Sequence, residues 1–586
     1  MKPDTKRPNF LIFMADEVRY PPVYETEEIK EWRRTYLKAQ EALRQTGVEF
    51  ERHYVASCAC CPSRSSLFTG QYPSLHGVTQ TPGTAKTNYD PGMFWLDPNT
   101  VPTMGDYFRA AGYRTFYKGK WHVSDADIII PGTHDALMTW GVKDTNGGDG
   151  TPTPVPLPRN IEIYRRADRL DDYGFSGWIG PEPHGAAQAN CGMNRDSGYA
   201  REAIELLDEL EAEREAVGGA SDAPWLIVNS YVNPHDIALF GIQWPTSWGY
   251  ALTDDTVPDI PASPTDDEDL DTKPGCQKSF VHVYPRMIAP QPPIEIFRKF
   301  YYYLQKTADE HIQQVYARLR ASSFFENTIV IFTSDHGDML GSHGGQHQKW
   351  HNAYEETIHV PLIISGPAHF EGQRSVDTLT SHVDLIPTLL ALAGADQKDV
   401  QEIAARDHCE VRPLVGRDLS ALILGTAQPT PVSEPVYFMT DDEISEGQSN
   451  FSLATGNPYN PVIQPNHVET IVAVFPAEGG EQVWKYSRYF DNPDFWTSPG
   501  QYDVVPVGGG TQQRTEPAPD EYEMYNLTLD PLERINLAHA SHQTPETQQR
   551  ERELQALLSE QNARKRLTPR SETDSDSSSG GGGQKT

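Results

Sequence analysis

Cys60-Cys61-Pro62-Ser63-Arg64 places a sulfur, a proline and a cation within one short run. Pro62 suits the first turn of a helix, where a missing N–H costs nothing. Cys60 then stands just before a helix N-terminus, whose free N–H groups and dipole favour an anion. Arg64 follows within one turn and points a cation at the same place. A sulfur nucleophile, or an oxygen made from it, faces an anionic ester there. The same residues also suit an inert buried cysteine cluster. A zinc site built on Cys58-x-Cys60-Cys61 is a further reading, but no second Cys/His cluster of zinc spacing accompanies it.

Two more runs end in groups of the kind that bind hard cations. Asn9–Ala15 is continuously apolar and is followed by Asp16-Glu17, and Asn327–Ser334 is followed by Asp335-His336. Oxygen ligands with one imidazole suit Ca²⁺, Mg²⁺ or Mn²⁺ better than a thiolate-bound metal. A third apolar run, Pro224–Val232, leads to Asn233-Pro234-His235-Asp236. Lys120 and His122 are two apart on an extended segment and therefore point to the same side.

The elements that must position these groups are legible from pattern. Short continuous apolar runs suit strands buried on both faces of a parallel sheet, and open α/β sheets bind ligands at the carboxyl ends of their strands. Helices are expected over residues 26–45, over Val101–Gly112 with Gly112 as its cap, over Ser197–Ala216 and over Phe297–Arg320. Ser381–Gly394 has an acidic start, an early proline and a terminal glycine, and reads as another helix. Residues 124–195 and 240–295 read as loop insertions around the mouth of the site, with Trp140 and Trp178 as candidate lining. Thr470–Phe475 and Val483–Phe490 have strand character. The expected organisation is a catalytic domain over 1–415, a C-terminal α+β subdomain over 416–540, and a helix with a Ser/Gly-rich disordered tail over 541–586.

At 586 residues the chain is too long for one ordinary domain. Its net charge of −33 argues against nucleic acid or an anionic membrane as a partner, because both require basic surface. It also counts against large polyanionic substrates. No stretch approaches the roughly 20 apolar residues of a membrane span. The N-terminal apolar run is too short for a signal segment, so the expectation is a cytoplasmic enzyme whose cysteines (58, 60, 61, 191, 276 and 409) are mostly reduced.

The run from Cys60 through Arg64 to Thr69-Gly70-Gln71-Tyr72-Pro73 resembles the signature of the type I, formylglycine-dependent sulfatases. Gly112-Tyr113 through Gly119-Lys120-Trp121-His122 resembles their second signature, and Tyr354–Gly366 and Ser381–Gly394 also read as family sequence. The resemblance covers most of residues 8–540. It implies an α/β fold of the alkaline phosphatase-like kind: a large, mostly parallel sheet between helices, then a smaller C-terminal domain with an antiparallel sheet and a helix. By resemblance Cys60, which alone has Pro two places on and Arg four places on, is oxidised to formylglycine by a maturation enzyme. Asp16, Glu17, Asp335 and His336, with the modified residue 60, would hold one divalent metal ion, Ca²⁺ first; the family usually has Asp where Glu17 stands.

The resemblance further implies that Arg64, Lys120 and Lys349 hold the non-bridging oxygens of a sulfate monoester, and that His235 protonates the leaving alcohol. His122 takes the proton whose loss collapses a sulfated hemiacetal. The substrate is a small-molecule sulfate ester, and a homo-oligomer is compatible with this reading. Relatives on the same fold hydrolyse phosphonate monoesters and phosphodiesters, so that activity is the alternative. Those relatives lack the Lys-Trp-His pattern, whereas the Asp335-His336 pair and the unusual Glu17 keep the alternative open.

Overall fold

A computed structural model of the chain describes residues 7–570, apart from 84, 143–153, 185–186, 219–222, 243, 288–293, 428–433, 450, 453–454, 459–460, 494–503, 508–509 and 514–515. The Ser/Gly-rich tail therefore lies outside the described residues. Seven strands form the central sheet: Asn9–Ala15 (β1), Gly47–Phe50 (β2), Arg114–Gly119 (β3), Trp225–Tyr231 (β4), Thr328–Ser334 (β5), Leu362–Ser365 (β6) and Arg374–Val376 (β7). Their order is β7-β2-β6-β5-β1-β4-β3. β1 pairs in parallel with both β4 and β5, placing Phe10 between Leu226 and Ile329. β3 adds in parallel to β4 and β7 to β2, while β6 runs antiparallel to its neighbours β5 and β2.

The period-two alternation of β1 explains why the sheet is covered on both sides. Phe10, Ile12 and Met14 face one core with Phe108, Trp121 and Leu389. Leu11, Phe13 and Ala15 face the other with Leu207, Ile312 and Val315. The first face is covered by helices Cys60–Thr69 (α1), Met104–Ala110 (α2) and Leu385–Leu392; the second by Gly192–Ala216 (α3) and Glu295–Arg320. α2 begins with a reciprocal cap, the Thr103 side chain accepting backbone N–H groups while Asp106 accepts the N–H of Thr103. The helix expected over 26–45 is two helices, Glu27–Tyr36 and Lys38–Thr46, because buried Leu37 leaves helical geometry between them.

A second sheet is antiparallel, in the order Val436–Thr440 (β8), His467–Ala477 (β9), Gly480–Phe490 (β10) and Glu521–Asn526 (β11). Ile471 with Tyr437 and Tyr486 packs on Leu554 and Leu558 of helix Pro545–Lys565. The opposite face, Val468, Val472 and Phe438, receives Cys276, Phe280, Tyr284 and Met287. Those four lie on helix Gly275–Met287, within the segment expected to be loop. Among the described residues, no helix is long and apolar enough to cross a membrane.

Candidate active site

Because β1 and β5 are parallel neighbours, the residues that follow them emerge side by side. Asp335 Oδ1 accepts the backbone N–H of Glu17 and of His336, each at 3.0 Å, which fixes both strand ends to one carboxylate. α1 starts at Cys60 against the same place and is buried along its whole length. Cys60 Sγ lies 3.1 Å from His336 Nε2 and 3.9 Å from Asp16 Oδ1. One ligand atom from each of Asp16, Cys60, Asp335 and His336 lies within 4.8 Å of all the others.

This donor set fits a divalent cation. His336 Nδ1 is 2.9 Å from the carbonyl oxygen of Gly337, so it carries the proton and leaves the Nε2 lone pair facing the cage. That orienting bond is the arrangement metal-binding histidines use. Burial lowers the His336 imidazole and keeps it neutral, although Asp335 opposes the effect. Burial, then the Asp16 carboxylate, pushes the Cys60 thiol up to about 11. The protein groups around Cys60 therefore do not prepare a thiolate, and Sγ stands where an oxygen of a modified residue 60 would be. Cys58 and Cys61 take no part in the cage, and all six cysteines are unpaired.

Arg64 lies beneath the cage, fully buried. Its Nε donates to Asp335 Oδ2 at 2.7 Å and its Nη2 to Asp16 Oδ2 at 3.1 Å. Nη1 donates to the carbonyl of Lys120 and to Ser230 Oγ. Most of the guanidinium's five N–H donors are thus engaged by protein. The resemblance implies a role for Arg64 on the ester's oxygens; in this structure its guanidinium donates to the two carboxylates.

Lys120 follows β3, and its Nζ forms a short ion pair with Asp16 Oδ2. Burial would raise the Asp16 carboxyl, but Lys120 and Arg64 outweigh it and hold Asp16 well below the usual range. Glu17 behaves oppositely. Burial, only partly offset by Lys349, drives its carboxyl well above the ordinary value. Its Oε2 is 3.2 Å from Lys349 Nζ, a close contact without hydrogen-bond geometry. Glu17 has a left-handed backbone, φ 75°, and its carboxylate groups with Asp16 and His235 rather than with the Cys60 cage. Lys349 also donates to Gln348 Oε1 and lies over the Trp350 ring. Burial and then Lys120 keep His235 neutral. Asp16, Glu17, Cys60, Arg64, Lys120, His235, Asp335, His336 and Lys349 are brought together here. Trp178, in contrast, is buried in the core against Tyr164, and Trp140 packs on Gly198 and Arg201 of α3.

Two neighbours were not singled out. Glu182 accepts the backbone N–H groups of Trp121 and His122, and His122 Nε2 lies 3.0 Å from His184 Nδ1. Pro181-Glu182-Pro183-His184 was a visible signal, a histidine in a proline-stiffened run. From the C-terminal sheet, Asp442 accepts the N–H of Ala59 at 3.2 Å and of Thr81 at 3.1 Å, securing the start of α1.

Residues 8–395 match the sulfatase family model. The choline-sulfatase of Rhizobium meliloti is 27% identical over 401 residues, covering 68% of this chain and 70% of the relative. Among solved structures, a 2-O GAG sulfatase superposes with a TM-score of 0.58 at 20% identity, covering 96% of this chain and 93% of its own. The phosphonate monoester hydrolase of Agrobacterium radiobacter gives a TM-score of 0.55 at 19% identity, with 95% and 96% covered. At these identities the structures speak to the fold.

Proposed function

The chain belongs to the sulfatase family of sulfuric ester hydrolases, and from that premise we propose that it cleaves sulfate monoesters with Cys60 converted to formylglycine. The observation that carries this reading is the convergence of Cys60 on His336 Nε2, at 3.1 Å, inside a cage completed by Asp16 and Asp335. Cys60 is only 2% exposed, so its oxidation by a maturation enzyme acts on the chain before α1 is enclosed.

Asp16, Asp335, His336 and the modified residue 60 would hold one divalent cation, Ca²⁺ being the first choice for an oxygen-rich set. Bound there, it supplies Lewis acidity and favours ionisation of the attacking hydroxyl. Arg64 holds the two carboxylates in place. Lys120 and Lys349 carry the positive charge that meets the ester oxygens as charge redistributes. His235 gives a proton to the leaving alcohol. An anionic ester seated near Lys120 and Lys349 counters the cations that, after burial, depress this imidazole. His122 then takes the proton whose removal expels sulfate from the enzyme.

The test is a comparison of aryl sulfate, alkyl sulfate and phosphonate monoester turnover by the modified, metal-replete enzyme. Sulfate esters should have the highest kcat/KM. A clear preference for the phosphonate would move the assignment to the alternative chemistry of the same fold.

A further inference from the structure

The histidine pair His122–His184 stands outside the metal cage and was not anticipated from sequence. The two rings are 4.8 Å apart and inclined by 30°, with Trp95 flanking them at 6.4 and 6.3 Å. The backbone of His122 is fixed, since Glu182 Oε1 accepts its N–H at 3.0 Å while Asp127 Oδ1 accepts the N–H of Glu182 at 2.7 Å. His184 is anchored too, its carbonyl accepting from Asn190 Nδ2 at 2.6 Å. Only the orientation of the shared proton is left to decide.

Two arrangements are open to a neutral pair. In one, His122 Nε2–H donates to the lone pair of His184 Nδ1. In the other, His184 Nδ1–H donates to His122 Nε2, which moves the His122 proton to Nδ1. His122 Nδ1 is buried and has no hydrogen-bond partner among the described residues. An N–H there would be an orphaned buried donor, which folded proteins rarely tolerate. The first arrangement leaves a lone pair there instead. It also places the His184 proton on Nε2, which is 3.9 Å from Asp127 Oδ2 and borders solvent, the His184 side chain being 20% exposed.

We propose that His184 is a positioning residue that fixes the tautomer of His122, accepting its Nε2–H so that Nδ1 stays free as the base. The inference rests on the reading of His122 as the group that deprotonates residue 60 during sulfate release. In that step the residue-60 O–H bond breaks, its proton goes to His122 Nδ1, and the C–O bond to sulfate breaks as the carbonyl re-forms. The imidazolium so produced keeps its Nε2–H bond to His184 and later returns the Nδ1 proton to water. His184 itself neither gains nor loses a proton, as expected for two imidazoles kept neutral chiefly by burial.

The experiment uses formylglycine-bearing, metal-loaded enzyme with an aryl sulfate, comparing the parent with His184→Ala, His184→Gln and His122→Ala. Gln can accept the Nε2–H through its amide oxygen, whereas Ala cannot. His184→Ala should slow steady-state turnover by about ten- to a hundred-fold while sparing the first burst of phenol, a fraction of the effect of a whole general base. His184→Gln should recover to within a few-fold of the parent. ¹⁵N spectra of histidine-labelled parent enzyme, assigned by difference against His122→Ala, should show His122 protonated at Nε2. A proton on His122 Nδ1 in the parent overturns the proposal, whether or not the variants fold. So does a His184→Gln enzyme as slow as His184→Ala, or a His184→Ala enzyme as fast as the parent. His122→Ala separates the two readings: if it builds up no enzyme-bound sulfate, the base assignment fails, while the ¹⁵N result still judges the tautomer.

Discussion

Arg64 Nε meets Asp335 Oδ2 at 2.7 Å with both side chains fully enclosed. The same guanidinium reaches Asp16 at 3.1 Å, so one cation spans the two carboxylates that close β5 and β1. Removing one partner from such a group leaves uncompensated buried charge. Arg64→Ala should therefore destabilise the fold by about 3–5 kcal/mol. Arg64→Lys should recover little, because an ammonium cannot reproduce the planar fork. Urea unfolding of metal-free protein measures this directly. A loss below about 1 kcal/mol, the range of an exposed ion pair, would mean that the two carboxylates do not depend on Arg64.

Cys60 should appear as an aldehyde in active enzyme. Its tryptic peptide should show loss of sulfur and two hydrogens and gain of one oxygen, with Cys58 and Cys61 untouched. Cys60→Ser should be inactive even when metal is bound, since a serine ester lacks the second hydroxyl whose deprotonation releases sulfate. Full activity in a preparation whose Cys60 is entirely thiol would falsify the assignment.

Much of this site was readable because its parts are local. Asp16-Glu17 and Asp335-His336 directly follow apolar runs, and the parallel pairing of β1 with β5 makes those separate ends adjacent. Arg64 was read as a cation for the ester's oxygens, but its bonds to Asp16 and Asp335 left no local signal, because those partners are fixed only by tertiary packing. The Asp442–Ala59 contact joins residues 383 positions apart in the chain and leaves no local pattern. The helix Gly275–Met287 is different: its buried Cys276, Phe280, Tyr284 and Met287 recur at helical spacing, but Pro285 and the acidic, proline-rich surroundings obscured the period.

His343, buried and stacked on the Tyr354 ring, should give the fold an alkaline limit. Its Nδ1 pairs with Glu268 Oε2 at 2.7 Å, and its Nε2 is 3.8 Å from Glu356 Oε2. Burial alone would lower this imidazole, but Glu268 and then Glu356 raise it to about 9. The folded state therefore holds the proton more tightly than the unfolded chain. The stabilisation is fully present below the unfolded value of about 6.5 and is lost as pH rises through about 9. It amounts to about 3 kcal/mol at most, from the linkage of one group. Unfolding free energies measured from pH 6 to 10 should fall for the parent across this window and stay flatter for His343→Gln. Parallel curves would show that His343 does not set the limit.

The Glu17–Lys349 pair decides what the unusual acid does. Glu17 belongs with Asp16 and His235, not with the Cys60 cage, and its carboxyl lies 3.2 Å from the Lys349 ammonium. If its task is to hold Lys349 toward the ester, Glu17→Gln should leave one metal ion per chain, since Asp16, Asp335, His336 and residue 60 remain. Turnover should still fall, by about ten- to a hundred-fold, because a misplaced cation loses charge stabilisation that matters only in the transition state. Lys349→Ala should cost at least as much, and the double variant little more than Lys349→Ala alone, as expected when one residue acts through the other. Metal content by atomic emission on the same samples makes the test two-sided. If Glu17→Gln loses its metal in step with its activity, Glu17 is a ligand and the second carboxylate of the family's usual Asp-Asp pair has been kept in a longer form. If both substitutions lower turnover by amounts that simply add, the 3.2 Å contact carries no coupling, and Lys349 is held by Gln348 and the Trp350 ring instead.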